Sequence, residues 1–338
     1  MLLDLDTFLV ALYTTVDDLY KEHFAPHKPI RPGPRCRLTD SEVLTLMICA
    51  QWLNQSERWV VAYGHQHWRG YFPQLLCQSA TNRRVRDLAY NLVWMVPLVA
   101  TKLEAEFASY QIFDTLPVPL MRKCRGRKTR LFYANEAGIG KGGSDKDWYY
   151  GCKLLVAATP KGAITGFVLG PAGTQERWLA DALLCWRVCP EARPWEPADV
   201  PPANKRDSSY YVGPTGPIWP REGVGASTTM PYIVDGGFSG VVWTGHWAKD
   251  YAALVFTPES YKADTAQAMR DFHARLRHVV ETVNEHLEHQ FHLPFPRART
   301  RQGLLARVAA KLAAFNLGIL MSRLFGGPDF AFATLFSF

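Results

Sequence analysis

The sequence predicts an α/β protein, with a mixed five-stranded sheet flanked by helices and an all-helical region before it. Over residues 1–108, apolar residues recur at helical spacing. From about residue 109 the apolar runs become short and are bounded by Pro and Gly, which is typical of strands. The order that follows is three strands, a helix, two strands and a long helix. This order predicts a sheet that is antiparallel at first and parallel later.

The N-terminal region, residues 1–108, is expected to contain three helices. The first two lie in DLDTFLVALYTTVDDLYKEHF and LTDSEVLTLMICAQWL. The second opens with three residues that suit a helix N-cap. These cap candidates are Thr39, Asp40 and Ser41.

The third predicted helix lies in CQSATNRRVRDLAYNLVWMVPLVATKLEAEF and carries arginines in its first turns. Cations are unfavourable at a helix N-terminus unless an anion lies nearby. Three helices with arginines at the start of the last one indicate a helix-turn-helix DNA-binding domain. The alternative is a solvated basic face on a helical bundle. The arginines are Arg83, Arg84 and Arg86.

Residues 109–300 form the predicted α/β domain. Its first strand, YQIFDTLPVPL, runs into Asp114 and is closed by Pro117 and Pro119. Residues 190–228 are dense in Pro and Gly without periodicity, so we expect an insertion or long loop there. The remaining elements are the hairpin strands WYYGCKLLVAAT and GAITGFVLGPAG, the helix QERWLADALLCWRV, the strands MPYIVDGG and DYAALVFTP, and the helix TAQAMRDFHARLRHVVETVNEHLEHQF.

The chain ends and the composition indicate a cytoplasmic protein with no membrane partner. Residues 301–338 are expected to form a C-terminal amphipathic packing helix, because basic residues interrupt its apolar run too often for a bilayer span. Asp4 and Asp6 stand where a signal peptide needs positive charge. The seven cysteines lack paired CxxC spacing, which indicates a reducing compartment. The formal charge of +7 fits an anionic partner such as nucleic acid.

Asp114 and Asp235 each stand near the end of a predicted apolar strand. Reactive groups in open α/β sheets gather at the carboxyl ends of strands. Two adjacent carboxylates are tolerated mainly when a cation neutralises them, and carboxylates without His or Cys partners select Mg²⁺ or Mn²⁺. Because Asp-Gly is also a common turn pair, a simple turn at Asp235 stays open. Candidates for a third acid, all on one face of the long helix, are Glu281, Glu285 and Glu288.

The motifs FDTLPVP, YYGCKLL, VDGGFSG and RHVVETVNEHLEHQF resemble, in this order, the catalytic core of bacterial insertion-sequence DDE transposases. The domain of that family has the ribonuclease H fold. The resemblance runs from about residue 109 to 300. It implies a site of three catalytic acids that hold two Mg²⁺ ions, with Mn²⁺ as a substitute. The implied catalytic and metal-binding residues are Asp114 on the first strand, Asp235 on the fourth and Glu281 on the following helix.

Many of these enzymes carry the pattern Y-x2-R-x3-E-x6-K along the last helix. Arg277 and Glu281 stand here at the separation of its arginine and glutamate. Arg277 could orient the glutamate or hold a phosphate with both arms of its guanidinium. Ala274 occupies the tyrosine position and Glu288 the lysine position, so the sequence departs from the pattern at these two places.

A basic segment, MRKCRGRKTR at residues 121–130, follows the first acid without an acidic residue of its own. It is either a solvated loop or a site for the DNA backbone, and its expected place beside the metal site favours the second interpretation. A second basic run, RARTRQGLLAR, lies near the C-terminus. The expected DNA-binding residues are Arg83, Arg84, Arg86, Arg122, Lys123, Arg125, Arg127, Lys128, Arg130, Arg277, Arg297, Arg299 and Arg301.

The function predicted from these features is a transposase that cleaves the ends of its element and joins the freed 3′ hydroxyls to target DNA. Its expected partners are double-stranded DNA, as terminal inverted repeats and target, and a second copy of the chain on that DNA. The expected location is the nucleoid of a bacterial cytoplasm. Two alternatives remain: a transposase-derived repressor or architectural protein without cleavage activity, and a stand-alone nuclease of the same fold.

Overall fold

The computed structural model describes residues 3–28, 36–126, 129, 132, 136–142, 147–188, 211–212, 231–257, 267–332 and 336–337. The chain divides into two compact units. A helical unit joins Met1–Val99 to Leu305–Phe338, and a sheet unit comprises Ala100–Leu304. The C-terminal residues, predicted as a segment of their own, therefore group with the N-terminal helices. The division before the sheet lies at residue 99 rather than 108.

The helical unit contains the first two predicted helices and divides the third. Its elements are β1 (Leu3–Asp4), α1 (Leu5–His23), α2 (Asp40–Trp52), α3 (Glu57–His67), α4 (Gln78–Asp87), α5 (Ala89–Lys102), α10 (Arg301–Leu324) and β9 (Phe336–Ser337). The predicted third helix is interrupted at Leu88, between α4 and α5, and α3 is an element that the sequence analysis does not predict. β1 and β9 pair as a two-stranded parallel sheet.

Local sequence explains where α1 and α2 begin. Asp4 caps α1, since its Oδ1 accepts a hydrogen bond from the Thr7 backbone N–H at 2.8 Å. Thr39 and Glu42 form a capping box at α2, in which Glu42 Oε2 accepts from the Thr39 backbone N–H at 2.6 Å. Thr39 is thus the cap among the three candidates. Asp40 instead turns into the unit and is buried.

Helix α10 is the apolar centre of the helical unit. It is long and apolar enough to cross a membrane by length and composition, but 89% of its apolar window is buried inside the protein. Its packing is specific. Trp52 Nε1 donates to the Ala314 carbonyl at 3.0 Å, and a Cβ added at Gly318 would lie 2.3 Å from Trp52 Cζ2. This close approach, together with its burial, identifies α10 as a core helix, in agreement with the packing role that the sequence predicts.

The sheet unit is mixed α/β, as the sequence predicts. Its strands are β2 (Gln111–Arg122), β3 (Gly138–Gly142), β4 (Asp147–Ala158), β5 (Ile164–Pro171), β6 (Tyr211–Val212), β7 (Pro231–Ile233) and β8 (Leu254–Phe256). Among the described residues the order is β6-β5-β4-β2-β7-β8, with β3 paired to β4. The pairs from β6 through β2 and the β3 pair are antiparallel, whereas β2, β7 and β8 are parallel. The five predicted strands are β2, β4, β5, β7 and β8. Within the predicted insertion, 190–228, only β6 belongs to the described residues.

Strand β2 continues through Pro117 and Pro119, where the sequence analysis predicts that it ends. β7 pairs only with Gln111 and Ile112. Beyond them β2 hydrogen-bonds to β4 on one side, so a proline that lacks an N–H can face the unpaired side without breaking a ladder. The register shifts between Pro119 and Met121, which is a bulge in this half of the strand.

Helices cover the two faces of the sheet. They are α6 (Lys123–Gly126), α7 (Glu176–Val188), α8 (Val241–Tyr251) and α9 (Gln267–Glu285), which ends in a π-turn at His286–Gln290. Phe113, Trp178 and Trp247 belong to the core on the face covered by α7 and α8. Val280 of α9 packs with Ile112 and Ile233 on the opposite face. Because strand side chains alternate between faces, residues two positions beyond Ile112 and Ile233 also point toward α9.

Candidate active site

The strand register brings Asp114 and Asp235 together. Ile112 and Ile233 are partners in the parallel pair of β2 and β7, and each aspartate stands two residues further along its own chain. Both side chains are half-buried, at the carboxyl end of β7 and on the face that α9 covers. The predicted adjacency of these two acids is therefore present in the structure.

Asp114 carries the charge conflict expected of such a pair. Its Oδ1 accepts from the Thr115 N–H at 2.8 Å, and its Oδ2 accepts from Asn284 Nδ2 at 2.9 Å. The pKa of Asp114 is raised to about 7. Burial is the largest cause, the nearby carboxylates of Asp235 and Glu176 add to it, and the Thr115 N–H and Arg277 oppose it. The folded protein thus holds a proton on Asp114 far more tightly than an exposed aspartate would.

Asp235 is both a turn residue and a member of the site. Its Oδ1 accepts from the Gly237 N–H at 2.8 Å and so caps the 3-10 turn Gly236–Phe238. The second carboxylate oxygen is not needed for this turn. The turn interpretation and the acid-pair interpretation therefore describe the same residue, and the turn fixes the direction of the carboxylate beside Asp114.

Glu176 is a third acid near the pair, and the sequence analysis does not identify it. It is the first residue of α7, and its Oε1 accepts from Thr115 Oγ1 at 2.8 Å and lies 3.6 Å from Lys153 Nζ. A Cβ added at Gly237 would lie 1.9 Å from Glu176 Oε2 and 3.1 Å from Asp235 Oδ1, so the two oxygens are at most about 5 Å apart, the sum of these distances. In the sequence, an acid at a helix start indicates only a favourable partner for the helix dipole.

Helix α9 presents Arg277 and Asn284 to the acids. The positive charge of Arg277 lowers the pKa of Asp114, and its buried Nε has no hydrogen-bond partner among the residues that the structure describes. Asn284 Oδ1 is likewise a buried acceptor without a partner. Sequence reasoning missed Asn284, because the resemblance directs attention to acids and an asparagine in a helix has no pattern of its own.

Glu281, the predicted third acid, is exposed on α9. It lies four residues after Arg277 and three before Asn284, spacings that place it on the same face as these two inward residues. Glu285 is exposed and Glu288 is half-buried in the π-turn. Within the described residues, no three Asp, Glu, His or Cys side chains are grouped as ligands of one metal ion. The structure therefore brings Asp114 and Asp235 together. Glu281, the third predicted acid, lies at the solvent side of the α9 face that carries Arg277 and Asn284.

The oxygen donors at this site suit a hard divalent cation. Asp114 and Asp235 supply two carboxylates, and Asn284 Oδ1 is a buried acceptor whose hydrogen-bonding capacity is unused. Mg²⁺ prefers such oxygens and needs few protein ligands, because it keeps several waters. The raised pKa of Asp114 agrees with a cation site, because part of the rise comes from repulsion between the carboxylates and a bound cation would remove that repulsion.

The basic segment after β2 does not lie beside the acids. Arg122 follows Asp114 by eight residues on β2, which corresponds to about 26 Å along an extended strand. The described part of the basic segment, Arg122, Lys123 and Arg125, is thus carried away from Asp114, because β2 continues past the prolines. Arg122 and Arg125 are exposed there, and Lys123 is half-buried. Arg127, Lys128 and Arg130 lie outside the described residues.

The other expected DNA-binding residues differ in their surroundings. In the helical unit Arg83 and Arg86 are exposed, but Arg84 forms a salt bridge with the buried Asp40 and donates to the Leu38 carbonyl at 3.2 Å. Arg84 is therefore a structural residue. In the sheet unit Arg277 faces the acid pair rather than solvent. The remaining exposed cations are Arg297, Arg299 and Arg301.

Comparisons with protein-family models, with curated proteins and with solved structures find no match to this chain.

Proposed function

We propose that this protein is a DDE transposase with a ribonuclease H-like catalytic unit, which cleaves transposon ends and transfers the strands into target DNA. The observation that carries the proposal is the placement of Asp114 and Asp235 two residues beyond a parallel strand pair, facing α9. The strand series β2, β4, β5, β7 and β8 supports the fold, since its first three members are antiparallel and the last two run parallel to β2. β2 and β7 are the first and fourth members of this series, the positions to which the resemblance assigns the strands of the two acids.

The chain's own residues prepare the site for a phosphodiester. Asn284 fixes one oxygen of Asp114, and the Asp235 turn fixes the second carboxylate beside it. Arg277 supplies a positive charge at the same place, suited to a phosphate oxygen. Asp114, Asp235 and Glu281 would hold Mg²⁺, which when bound activates the attacking oxygen and stabilises the leaving one. Glu281, which is exposed, would have to turn toward the pair from the helix face that it shares with Arg277 and Asn284.

The partners belong to the same proposal. Exposed arginines on both units fit contacts with DNA phosphates, which are independent of base sequence. Two DNA ends require two copies of the site, so we propose a homodimer on DNA. The corresponding location is the bacterial nucleoid, in the cytoplasm.

The experiment is a Mg²⁺-dependent cleavage assay on linear duplexes that carry the genomic segments flanking the gene on either side. We expect cleavage at discrete positions by the wild type, loss with Asp114→Asn, and retention with Asp271→Asn. Asp271 is a matched control, because it is an exposed aspartate on α9 that accepts a hydrogen bond only within its own helix, from Gln267 at 2.9 Å.

The alternatives give different results in the same assay. Protection of the flanking segments without any cleavage, unchanged by Asp114→Asn, would replace the proposal with a repressor or architectural protein. Cleavage that is independent of the flanking sequence would replace it with a nuclease.

A further inference from the structure

A basic and aromatic patch lies at the far end of the sheet from the acids. We define the Trp148 patch as Lys123, Lys141 and Trp148. Lys141 pairs directly with Trp148 across β3 and β4, and Arg122 pairs with the next residue of β4. Lys123 Nζ lies 4.2 Å from the centroid of the Trp148 ring. Lys123 and Lys141 thus lie beside one indole, whereas Arg122 shares the opposite face of the sheet with Tyr149.

Trp148 is exposed, although the next two residues of β4, Tyr149 and Tyr150, are buried. Its relative exposure is 55%. A large ring in water loses the stabilisation that burial would provide, about 25 cal/mol per Å² of apolar surface. The contact with Lys123 contributes a cation–π attraction, but an ammonium covers one face of a ring and leaves the other. Packing in the core therefore does not explain why an indole stands at this position.

We propose that the Trp148 patch binds unpaired nucleotides of DNA, with Trp148 stacking on a base and the surrounding cations contacting phosphates. Aromatic side chains in a positively charged surface are the usual elements of single-strand binding, because every base offers a π-face. In a duplex the base faces are stacked on one another and closed to an indole. Unpaired DNA is therefore the ligand that uses both the ring and the charge. Asp147 is an exposed acid beside the ring, and the two lysines of the patch outweigh it.

The position of the patch separates it from catalysis. Arg122 stands about 26 Å from Asp114 along β2, so the patch contacts a part of the DNA distant from the phosphate at the acids. At about 3.4 Å per base pair this is roughly eight base pairs of B-form DNA. The inference rests on the proposed function for its choice of DNA as ligand. Its binding test needs neither Mg²⁺ nor cleavage, so the two proposals can fail separately.

The test compares the affinity of the full chain for a 20-nucleotide oligo-dT strand and for a 20-base-pair duplex, in EDTA. We expect Trp148→Ala to weaken oligo-dT binding by roughly 5- to 150-fold, the range for one stacked base. Duplex affinity should stay within about twofold, because phosphate contacts remain. Trp148→Leu keeps apolar bulk without a π-system and should behave in the same way. Phe107→Ala, at a 77% exposed ring elsewhere in the sheet unit, should change neither affinity.

Two results would overturn the inference. Oligo-dT affinity retained within about twofold by both Trp148→Ala and Trp148→Leu would remove the ring from binding. Equal losses for single strand and duplex would make the patch a backbone site. If Trp148→Ala has a lower melting temperature than the wild type, Trp148→Leu and Trp148→Phe provide the comparison, with Phe expected to retain binding. If no cleavage is found but the Trp148 variants still lose oligo-dT affinity selectively, the transposase proposal is contradicted and the inference about the Trp148 patch is not.

Discussion

Asn284 Nδ2 donates a hydrogen bond to Asp114 Oδ2 at 2.9 Å, across 170 residues of sequence. This bond connects α9 to the first acid of the pair. The other end of the amide, Oδ1, is buried and has no donor within the described part of the chain. An ionised Asp114 accepts a hydrogen bond from Asn284 Nδ2, and this bond holds α9 at the carboxylate. Asn284 Oδ1 remains available to bind a cation.

The raised pKa of Asp114 predicts a pH-dependent stability in the metal-free protein. A carboxyl whose pKa rises from 3.8 to about 7 on folding favours the folded state at low pH, and this stability is lost as the pH rises from about 4 to about 7. Each pKa unit is worth about 1.4 kcal/mol, so a few kcal/mol is the upper bound for a half-buried group. We expect Asp114→Asn to match the wild type at pH 4 and to be more stable at pH 8. Urea denaturation in EDTA at both pH values measures this, and an identical gap between the two proteins at both would contradict it.

Asp235→Asn should separate the turn from the chemistry. Asparagine can accept the same hydrogen bond from the Gly237 N–H, so the turn and the fold should persist. It cannot neutralise a divalent ion, so Mg²⁺-dependent cleavage should fall at least about 100-fold. Loss of the Asp235 charge should also lower the pKa of Asp114, which a titration of its carboxyl signal by NMR would detect. Near-normal cleavage by the folded variant would remove Asp235 from the site.

Glu281 and Glu285 provide a matched pair on α9, since both are exposed glutamates on the same helix. Glu281 and Glu285 lie on neighbouring parts of one face, but Glu285 is turned about 40° further than Glu281 from both Arg277 and Asn284. We expect Glu281→Gln to weaken Mg²⁺ binding, measured by calorimetry, about tenfold or more and to abolish cleavage. Glu285→Gln should retain both. The reverse result would assign the third acid to Glu285.

The contact between Gly237 and Glu176 predicts a coupled pair of substitutions. Gly237→Ala would place its Cβ 1.9 Å from Glu176 Oε2, so the carboxylate or the turn must move. Overpacking of this kind costs about 1–3 kcal/mol in the free energy of unfolding. Glu176→Ala removes the obstacle, so the double variant should lose less stability than the two single losses together. Strict additivity in urea denaturation would show that the contact does not restrain the turn.

Arg84 is expected to stabilise the helical unit rather than bind DNA. Its salt bridge reaches Asp40, whose side chain is 8% exposed. Removing one partner of a buried ion pair costs about 3–5 kcal/mol, and less here because Lys28 and Tyr20 also bond to Asp40. We expect Arg84→Ala to lose about 2 kcal/mol or more of stability, measured by thermal or urea unfolding. Arg83→Ala and Arg86→Ala should keep the stability and weaken duplex binding instead, and DNA-binding loss without destabilisation in Arg84→Ala would return Arg84 to the DNA surface.

The sequence by itself determined the features that depend on neighbours along the chain. A helix N-cap within residues 39–41, the hairpin of β4 and β5, and the strand that ends before Asp235 all follow from local spacing and turn residues. The adjacency of Asp114 and Asp235 is predicted as well, although Asp114 lies within β2 rather than at its carboxyl end, and the parallel register of β2 with β7 is what brings the two acids together.

Only the tertiary structure decided which distant groups meet these residues. Asn284 reaches Asp114, Glu176 reaches the Asp235 turn, and Arg84 turns inward to Asp40. None of these contacts follows from local spacing, because each joins elements that are adjacent only after the helices pack. The position of the basic segment has the same origin. Whether a proline ends a strand depends on whether a neighbouring strand needs its N–H, and β7 is too short to need it at Pro117.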